Sequence, residues 1–311
     1  MIFVTGAAGF IGSNFVHFLT EKTDEEIIIV DKFSYAADMM NLHTLSQHKI
    51  ARIDISNMNE LSDLFESHKP SKVFHFAAES HVDNSIKDVM PFIESNIIGT
   101  VNLLRLSVDH KVEMFHHIST DEVYGSLGYD DPSFTEKTSY DPQNPYSASK
   151  ASSDHFVMAF YNTYGLPVKI TNCSNNYGPR QNVEKLIPKT ITNILCGNKI
   201  PVYGKGENIR DWIYVEDHCE AIYEVFNRGK VGEKYNIGGE CEVKNIDLVK
   251  TLLELIGGSE DLIDYVQDRP GHDLRYSIDN AKIQSELGWK PKYSLEKGLE
   301  KTIEWYRNDR I

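Results

Sequence analysis

Three short stretches of the chain hold residue types at spacings that could do chemistry. Residues 119–125 read STDEVYG and set two carboxylates, Asp121 and Glu122, side by side after the apolar-rich run VEMFHHI. Neighbours on a strand point to opposite faces, so both acids meet one substrate only if the backbone turns where the strand ends. Such a pair either caps a helix and wets a turn, or does acid–base work. Residues 146–150 read YSASK, with Tyr146 and Lys150 four apart and so on one face of a helix. A lysine held there, with a nicotinamide's positive charge nearby, lowers a tyrosine pKa from its usual value of about 10. The phenolate can then take a proton from a substrate hydroxyl as hydride leaves. The same spacing also occurs on ordinary helix faces.

The third stretch is GAAGFIG, with Gly6, Gly9 and Gly12 directly after a strand candidate and opening a helix candidate. Glycines let the chain turn tightly and let backbone approach a pyrophosphate seated on the positive end of the helix. Asp31 ends the next strand candidate, 19 residues beyond Gly12. An acid at that place can bind an adenine ribose 2′-hydroxyl and would repel a 2′-phosphate, which favours NAD over NADP.

The elements that must position these groups alternate. IFVTG, EIIIVD, KIARIDI, KVFHFAA, MFHHIS and PVKITN read as strands, separated by SNFVHFLTEK, NELSDLFESH, IESNIIGTVNLLRLSVDH and YSASKASSDHFVMAFYNTY as helices. This rhythm predicts an α/β fold, a Rossmann-type doubly wound parallel sheet that binds ligands beyond the carboxyl ends of its strands. After about residue 171 the rhythm loosens. NCSNNYGPRQNVEKLIP reads as loop, KTITNILCG as a helix, IPVYGKGENIRDWIYV as strands around a turn, and KNIDLVKTLLELIG and LEKGLEKTIEWYRN as closing helices. The expected division is an NAD-binding domain of 1–170 plus roughly 209–239, with a smaller mixed α/β substrate-binding lobe of roughly 171–208 and 240–311.

Composition bounds the partners. At 311 residues, 41% hydrophobic and 25% charged, the chain is an ordinary globular protein with room for a large core. Its net charge of −14 argues against nucleic acid or an anionic membrane as partner. No apolar run approaches the ~20 residues of a membrane span. The chain opens on IFVTG with no signal-like segment, so a cytoplasmic protein is expected. Four cysteines lie 22 or 23 residues apart, a spacing that resembles no metal site, and no metal is predicted.

GAAGFIG, Asp31 and YSASK together resemble the extended short-chain dehydrogenase/reductase family, which works on nucleotide sugars. The Thr-Asp-Glu of STDEVYG resembles its 4,6-dehydratase branch, as do DKFSYA, FHFAAESHVDNSI, TNCSNNYGP, PVYGKGENIRDWIYVEDHC and RPGHDLRYSID. The resemblance implies a hydro-lyase of deoxysugar (rhamnose-type) synthesis that dehydrates dTDP-glucose, or else UDP-glucose, to the 4-keto-6-deoxy sugar. In its reaction Tyr146, with Lys150, takes the C4 hydroxyl proton, Thr120 bonds the C4 oxygen, Glu122 is the C5 base and Asp121 the C6 acid. Asp121 must then be protonated, through burial or repulsion from Glu122.

The resemblance further implies that Gly6, Gly9, Phe10, Ile11, Gly12, Asp31, Lys32, Ser34, Asp54 and Ile55 surround the adenosine half of NAD. Ala77, Ala78, Glu79, Ser80, Ser95, Tyr146, Lys150 and Asn176 lie further in along the cofactor. For the nucleotide sugar it implicates His81, Thr120, Asn175, Glu184, Lys185, Leu186, Tyr203, Arg210, Asn245, Arg269 and His272, and it implies a homodimer formed through stretches near 95–108 and 146–163. Three departures bear on the preferred base: Asn84 stands where the family has arginine, Ala37 where it has glycine, and the segment between Tyr124 and Tyr140 is short. The rival readings are a nucleotide-sugar 4-epimerase or decarboxylase of the same family and, more remotely, a non-catalytic NAD-binding scaffold.

Overall fold

A computed structural model describes residues 1–268 and 271–309. The strands are β1 (Ile2–Thr5), β2 (Ile27–Asp31), β3 (Lys49–Arg52), β4 (Lys72–His75), β5 (Met114–Thr120), β6 (Val168–Cys173), β7 (Asn175–Tyr177), β8 (Ile200–Tyr203), β9 (Ile209–Tyr214), β10 (Lys234–Ile237), β11 (Glu242–Lys244) and β12 (Ile263–Val266). The helices are α1 (Phe10–Thr20), α2 (Met58–His68), α3 (Val82–Lys87), α4 (Met90–Phe92), α5 (Thr100–Asp109), α6 (Pro145–Tyr164), α7 (Leu186–Cys196), α8 (Val215–Arg228), α9 (Asn245–Ile256), α10 (Ala281–Leu287) and α11 (Leu295–Asp309).

Seven strands form one parallel sheet in the order β10-β6-β5-β4-β1-β2-β3. Its inner strands are buried on both faces because helices cover both, as a parallel sheet requires, with β1 and β2 almost wholly apolar and β5 and β6 carrying buried polar side chains. Phe15, Val16 and Leu19 of α1 pack on one face with Ile222 and Val225 of α8. On the other face Leu61 and Phe65 of α2 pack with Leu103 and Leu104 of α5 and Val157 of α6. The order reverses at β1, with β2 on one side and β4 on the other, which opens a crevice at the carboxyl ends of these strands. Among the described residues no helix is long and apolar enough to cross a membrane.

The remaining strands make two small sheets. β9 lies between β7 and β11, and β8 pairs with β12. The expectation that IPVYGKGENIRDWIYV forms strands around a turn is met, and the two strands, β8 and β9, belong to different sheets. Gly204 and Gly206 both adopt positive φ, at 56° and 71°, and carry the chain across from one sheet to the other rather than back along β8. A third core of Ile187, Ile191, Leu248, Leu252 and Ile303 fills this smaller region. Between α4 and α5 the segment Ile93–Gly99 is a π-helix, a wider turn that sequence periodicity did not distinguish from the helix around it.

Candidate active site

The glycine turn is shaped by the side chains it lacks. Gly6 has φ of 67°, and a Cβ on it would lie 2.5 Å from the backbone nitrogen of Ala77, just past β4. A Cβ on Gly12 would lie 2.3 Å from the Gly6 carbonyl oxygen. Gly9 caps α1 with no side-chain bond to the helix N-terminus, so amides of the first turn face the crevice. Asp31 closes this end: its carboxylate accepts from Ala8 N at 2.9 Å and Phe33 N at 2.7 Å. Burial pushes its pKa up, and those two amides oppose the rise. A cradle without Cβ atoms, an open helix N-terminus and a carboxylate at the end of β2 fit the pyrophosphate and ribose of a dinucleotide.

The two acids reach one cleft because the strand gives way to a single tight turn. β5 ends at Thr120, and Asp121–Tyr124 form a 3₁₀ turn capped by Thr120, whose Oγ1 accepts from Glu122 N at 3.3 Å. Gly125, at φ 99°, leads the chain away; a Cβ there would meet the Asp141 carbonyl at 2.7 Å. Asp121 is 2% exposed. Its pKa is pushed well above the ordinary carboxylate value by burial, then by Glu122 and Asp211, against Arg210 and Thr120. Burial and like charge, the two conditions for a neutral acid at this position, are both present.

Tyr146 and Lys150 ride on α6, whose start is set by a capping box between Asn144 and Ser147 and by Pro145 in the first turn. Lys150 is 4% exposed and its Nζ donates to the Ile118 carbonyl at 2.8 Å. The expected lowering of the Tyr146 pKa rests on Lys150 together with a nicotinamide's positive charge; the protein's own groups push the other way. Burial pushes the phenol well above its ordinary value, and Glu122 and Cys173 add to the rise against the Thr120 hydroxyl. Desolvation and nearby anions disfavour the phenolate, and burial likewise lowers the Lys150 pKa.

Most of the expected groups line one cleft. Gly6, Gly9, Phe10, Ile11, Gly12, Asp31, Lys32, Ser34, Ile55, Ala77, Ala78, Ser80 and Ser95 lie along it, as do Thr120, Asp121, Glu122, Tyr146, Lys150, Asn175, Asn176, Glu184 and Lys185. Asp54 and Glu79 stand beside the lining, 3.8 and 3.1 Å from Lys32 Nζ, which also donates to Ser95 Oγ at 2.7 Å. His81 caps α3, 3.7 Å from Glu184, and Leu186 opens α7 and packs on the third core.

A second group sits on the smaller region, off that lining. Arg210 is buried, donates to the Asp273 carbonyl at 2.9 Å and lies 4.3 Å over the Tyr276 ring. Tyr203 donates to Asp83, its ring edge-on to His272, which lies 2.6 Å from Asp268. Asn245 opens α9. Arg269 lies outside the described residues. Gln181 and Asn182 also line the cleft and were not singled out from sequence, although they continue the same polar loop as Asn175 and Asn176. The Asn84 departure faces Tyr35, which also meets Glu184.

A family model described as GDP-mannose 4,6 dehydratase matches residues 3–302. A dTDP-glucose 4,6-dehydratase of Escherichia coli is 50% identical, over 99% of this chain and 94% of its own. The chain belongs to the dTDP-glucose 4,6-dehydratase family. A member from Streptomyces venezuelae, solved with NAD bound, superposes with a TM-score of 0.95 at 44% identity, covering 99% of this chain and 97% of its own. A UDP-glucose 4-epimerase of Thermotoga maritima superposes nearly as well, with a TM-score of 0.93 at 32% identity and 98% of each chain covered. The fold is therefore shared with epimerases, and what marks a dTDP-glucose 4,6-dehydratase must lie in the side chains of the site.

Proposed function

We propose that the chain dehydrates dTDP-glucose to the 4-keto-6-deoxy sugar with NAD as a recycled cofactor. The observation that carries this reading is the buried Asp121 beside Glu122, turned into the same cleft as Tyr146 and the glycine cradle. NAD, when bound, accepts hydride from C4, returns it to C6 and brings a positive nicotinamide to a cleft whose own groups leave the phenol reluctant to ionise. Tyr146 takes the proton of the C4 hydroxyl, and Thr120 holds that oxygen. The resulting ketone acidifies the C5 proton, which Glu122 removes. Asp121, kept protonated by burial and by its anionic neighbours, protonates the C6 hydroxyl so that it leaves as water. Glu122 then returns its proton to C5. Lys185 in the cleft and Arg210 beyond the acids are the cations we assign to the diphosphate side.

The rival 4-epimerase and decarboxylase reactions have no use for a buried acid beside a base. Incubation with dTDP-glucose and UDP-glucose separately, followed by the alkaline absorbance of the 4-keto sugar, tests the reading. Preferred turnover of dTDP-glucose is expected. Turnover of neither sugar overturns it, and preference for UDP-glucose overturns the choice of base. We also propose a homodimer. Exposed Ile86, Val89, Met90, Ile98 and Phe156, on α3, at the start of α4, in the π segment and on α6, supply apolar surface that a second copy would cover. Light scattering at twice the 35.5 kDa chain mass is expected.

A further inference from the structure

Behind Tyr146 and Lys150, α6 carries a third buried polar group on the same face. Tyr146, Lys150 and Asp154 follow one another at intervals of four residues, so the three stack along one side of the helix. Asp154 is 2% exposed. Its Oδ2 accepts from Tyr140 OH at 2.7 Å, Ser119 Oγ at 2.9 Å and Asn172 Nδ2 at 3.3 Å, and its Oδ1 lies 3.1 Å from His117 Nε2. Donors thus converge on one carboxylate from β5, β6 and the loop before α6.

A buried carboxylate is costly unless hydrogen-bonded and balanced by a cation. His117 does not balance it at neutral pH, because burial pushes its pKa down to about 4. Lys234 of β10, with Glu136 among its neighbours, stands 4.4 Å over the Tyr140 ring. Lys150 lies one helical turn away, and Asp154 is the foremost group that opposes the fall in its pKa, followed by Cys173. Other groups around the cluster include His75, whose ring is 5.1 Å from that of His117, His155, whose ring is 5.3 Å from that of Tyr140, and Tyr124, which donates to Asn236. Burial pushes the Asp154 carboxyl up, but His117, Lys150 and Tyr140 together hold it below its ordinary value.

We infer that Asp154 is a positioning residue of this site: its carboxylate, clamped by Ser119, Tyr140, Asn172 and His117, keeps Lys150 a cation beside Tyr146. The inference rests on the dehydratase reading for its kinetic consequence and, for the charge state of Lys150, on a buried carboxylate held one helical turn away on the same face of α6. The isosteric variant Asp154→Asn removes the charge and keeps groups that can face the two hydroxyls.

The test follows NAD-loaded wild type and Asp154→Asn from pH 6 to 10, recording kcat and KM with dTDP-glucose and the Lys150 ¹³Cε resonance. Loss of the carboxylate should move the alkaline limb of kcat and the Lys150 titration down together by about one pH unit. KM should stay within about twofold. Ser119→Ala and Tyr140→Phe each keep the carboxylate and should leave both midpoints within ~0.3 units. If Asp154→Asn does not accumulate as folded protein, Asp154→Ser removes the same charge with room for water. A uniform loss of kcat at every pH with an unmoved Lys150 titration overturns the inference. So does an equal shift in Ser119→Ala or Tyr140→Phe. A wild type that never turns over dTDP-glucose overturns the dehydratase reading, while the Lys150 titration still decides the role of Asp154.

Discussion

The glycine turn after β1 and the acid turn after β5 open on the same cleft, yet they are built on opposite principles. The first works through backbone and missing side chains: Gly6 and Gly12 have carbonyl or amide groups where a Cβ would go. The second works through side chains held dry, with Asp121, Tyr146, Lys150 and Asp154 all buried. One region is therefore broken by adding an atom, the other by removing a charge or a donor. The largest expected effect lies on the acid side. Glu122→Gln should lower water loss by ~10²–10⁴-fold while C4 oxidation continues, so that NADH absorbance accumulates on adding dTDP-glucose. Dehydration at the wild-type rate would remove Glu122 from the role of base.

The acid side should also be the one that low pH damages. His117 is buried with its pKa pushed down to about 4, from an ordinary value of 6.5. Between those values the unfolded chain binds a proton that the folded chain refuses. Stability is therefore full above pH 6.5 and is lost as pH falls toward 4, by roughly 3 kcal/mol for this one group. Burial pushes His218 down as well, to about 3, which extends the loss to lower pH. Urea midpoints measured from pH 7 to 4.5 should fall, with a shallower fall in His117→Asn. An identical slope in that variant would place the acid sensitivity elsewhere.

These differences govern what could be read from sequence. The glycine turn was legible because glycine spacing, a strand before and a helix after are all local signals. The end of β5 at Thr120 was legible because an apolar run stops there. The clamp on Asp154 was not, since Ser119, Tyr140, Asn172 and His117 come together only in the folded chain. The push that the protein's own groups give the Tyr146 pKa was not legible for a related reason: helix spacing brings Lys150 near, but the depth of burial and the approach of Glu122 are tertiary facts. The separation of β8 from β9 and the π turn at Ile93–Gly99 depend on packing that periodicity does not encode.

On the glycine side, a paired substitution separates turn geometry from general crowding. Gly12→Ala would place a Cβ 2.3 Å from the Gly6 oxygen and 2.9 Å from Ala7 Cα, both backbone atoms with little room to move. It should cost about 1–3 kcal/mol of stability and weaken NAD binding measured by calorimetry. Gly9→Ala meets its first atom only at 3.3 Å and should retain most of that affinity. Equal losses in the two variants would show that the turn responds to any bulk rather than to the closeness of its own backbone.

The smallest effect concerns the joint between the two designs, where a backbone device positions a side-chain site. Asn144 accepts from Ser147 N at 2.9 Å, and Ser147 Oγ accepts from Asn144 N at 3.2 Å. This box ties down the first turn of α6 two residues before Tyr146, whose own amide donates to Ser85 Oγ at 3.2 Å. Asn144→Ala should cost about 1 kcal/mol in unfolding free energy, and Asn144→Asp should recover most of it, because aspartate caps equally well and its charge suits a helix N-terminus. If the cap only stabilises the helix, kcat with dTDP-glucose will be unchanged at temperatures where both proteins are folded. If it also fixes the direction in which Tyr146 enters the cleft, kcat will fall in Asn144→Ala with KM unchanged and return in Asn144→Asp. The second outcome is expected, because Tyr146 lies within the first helical turn, where fraying would begin once the cap is lost.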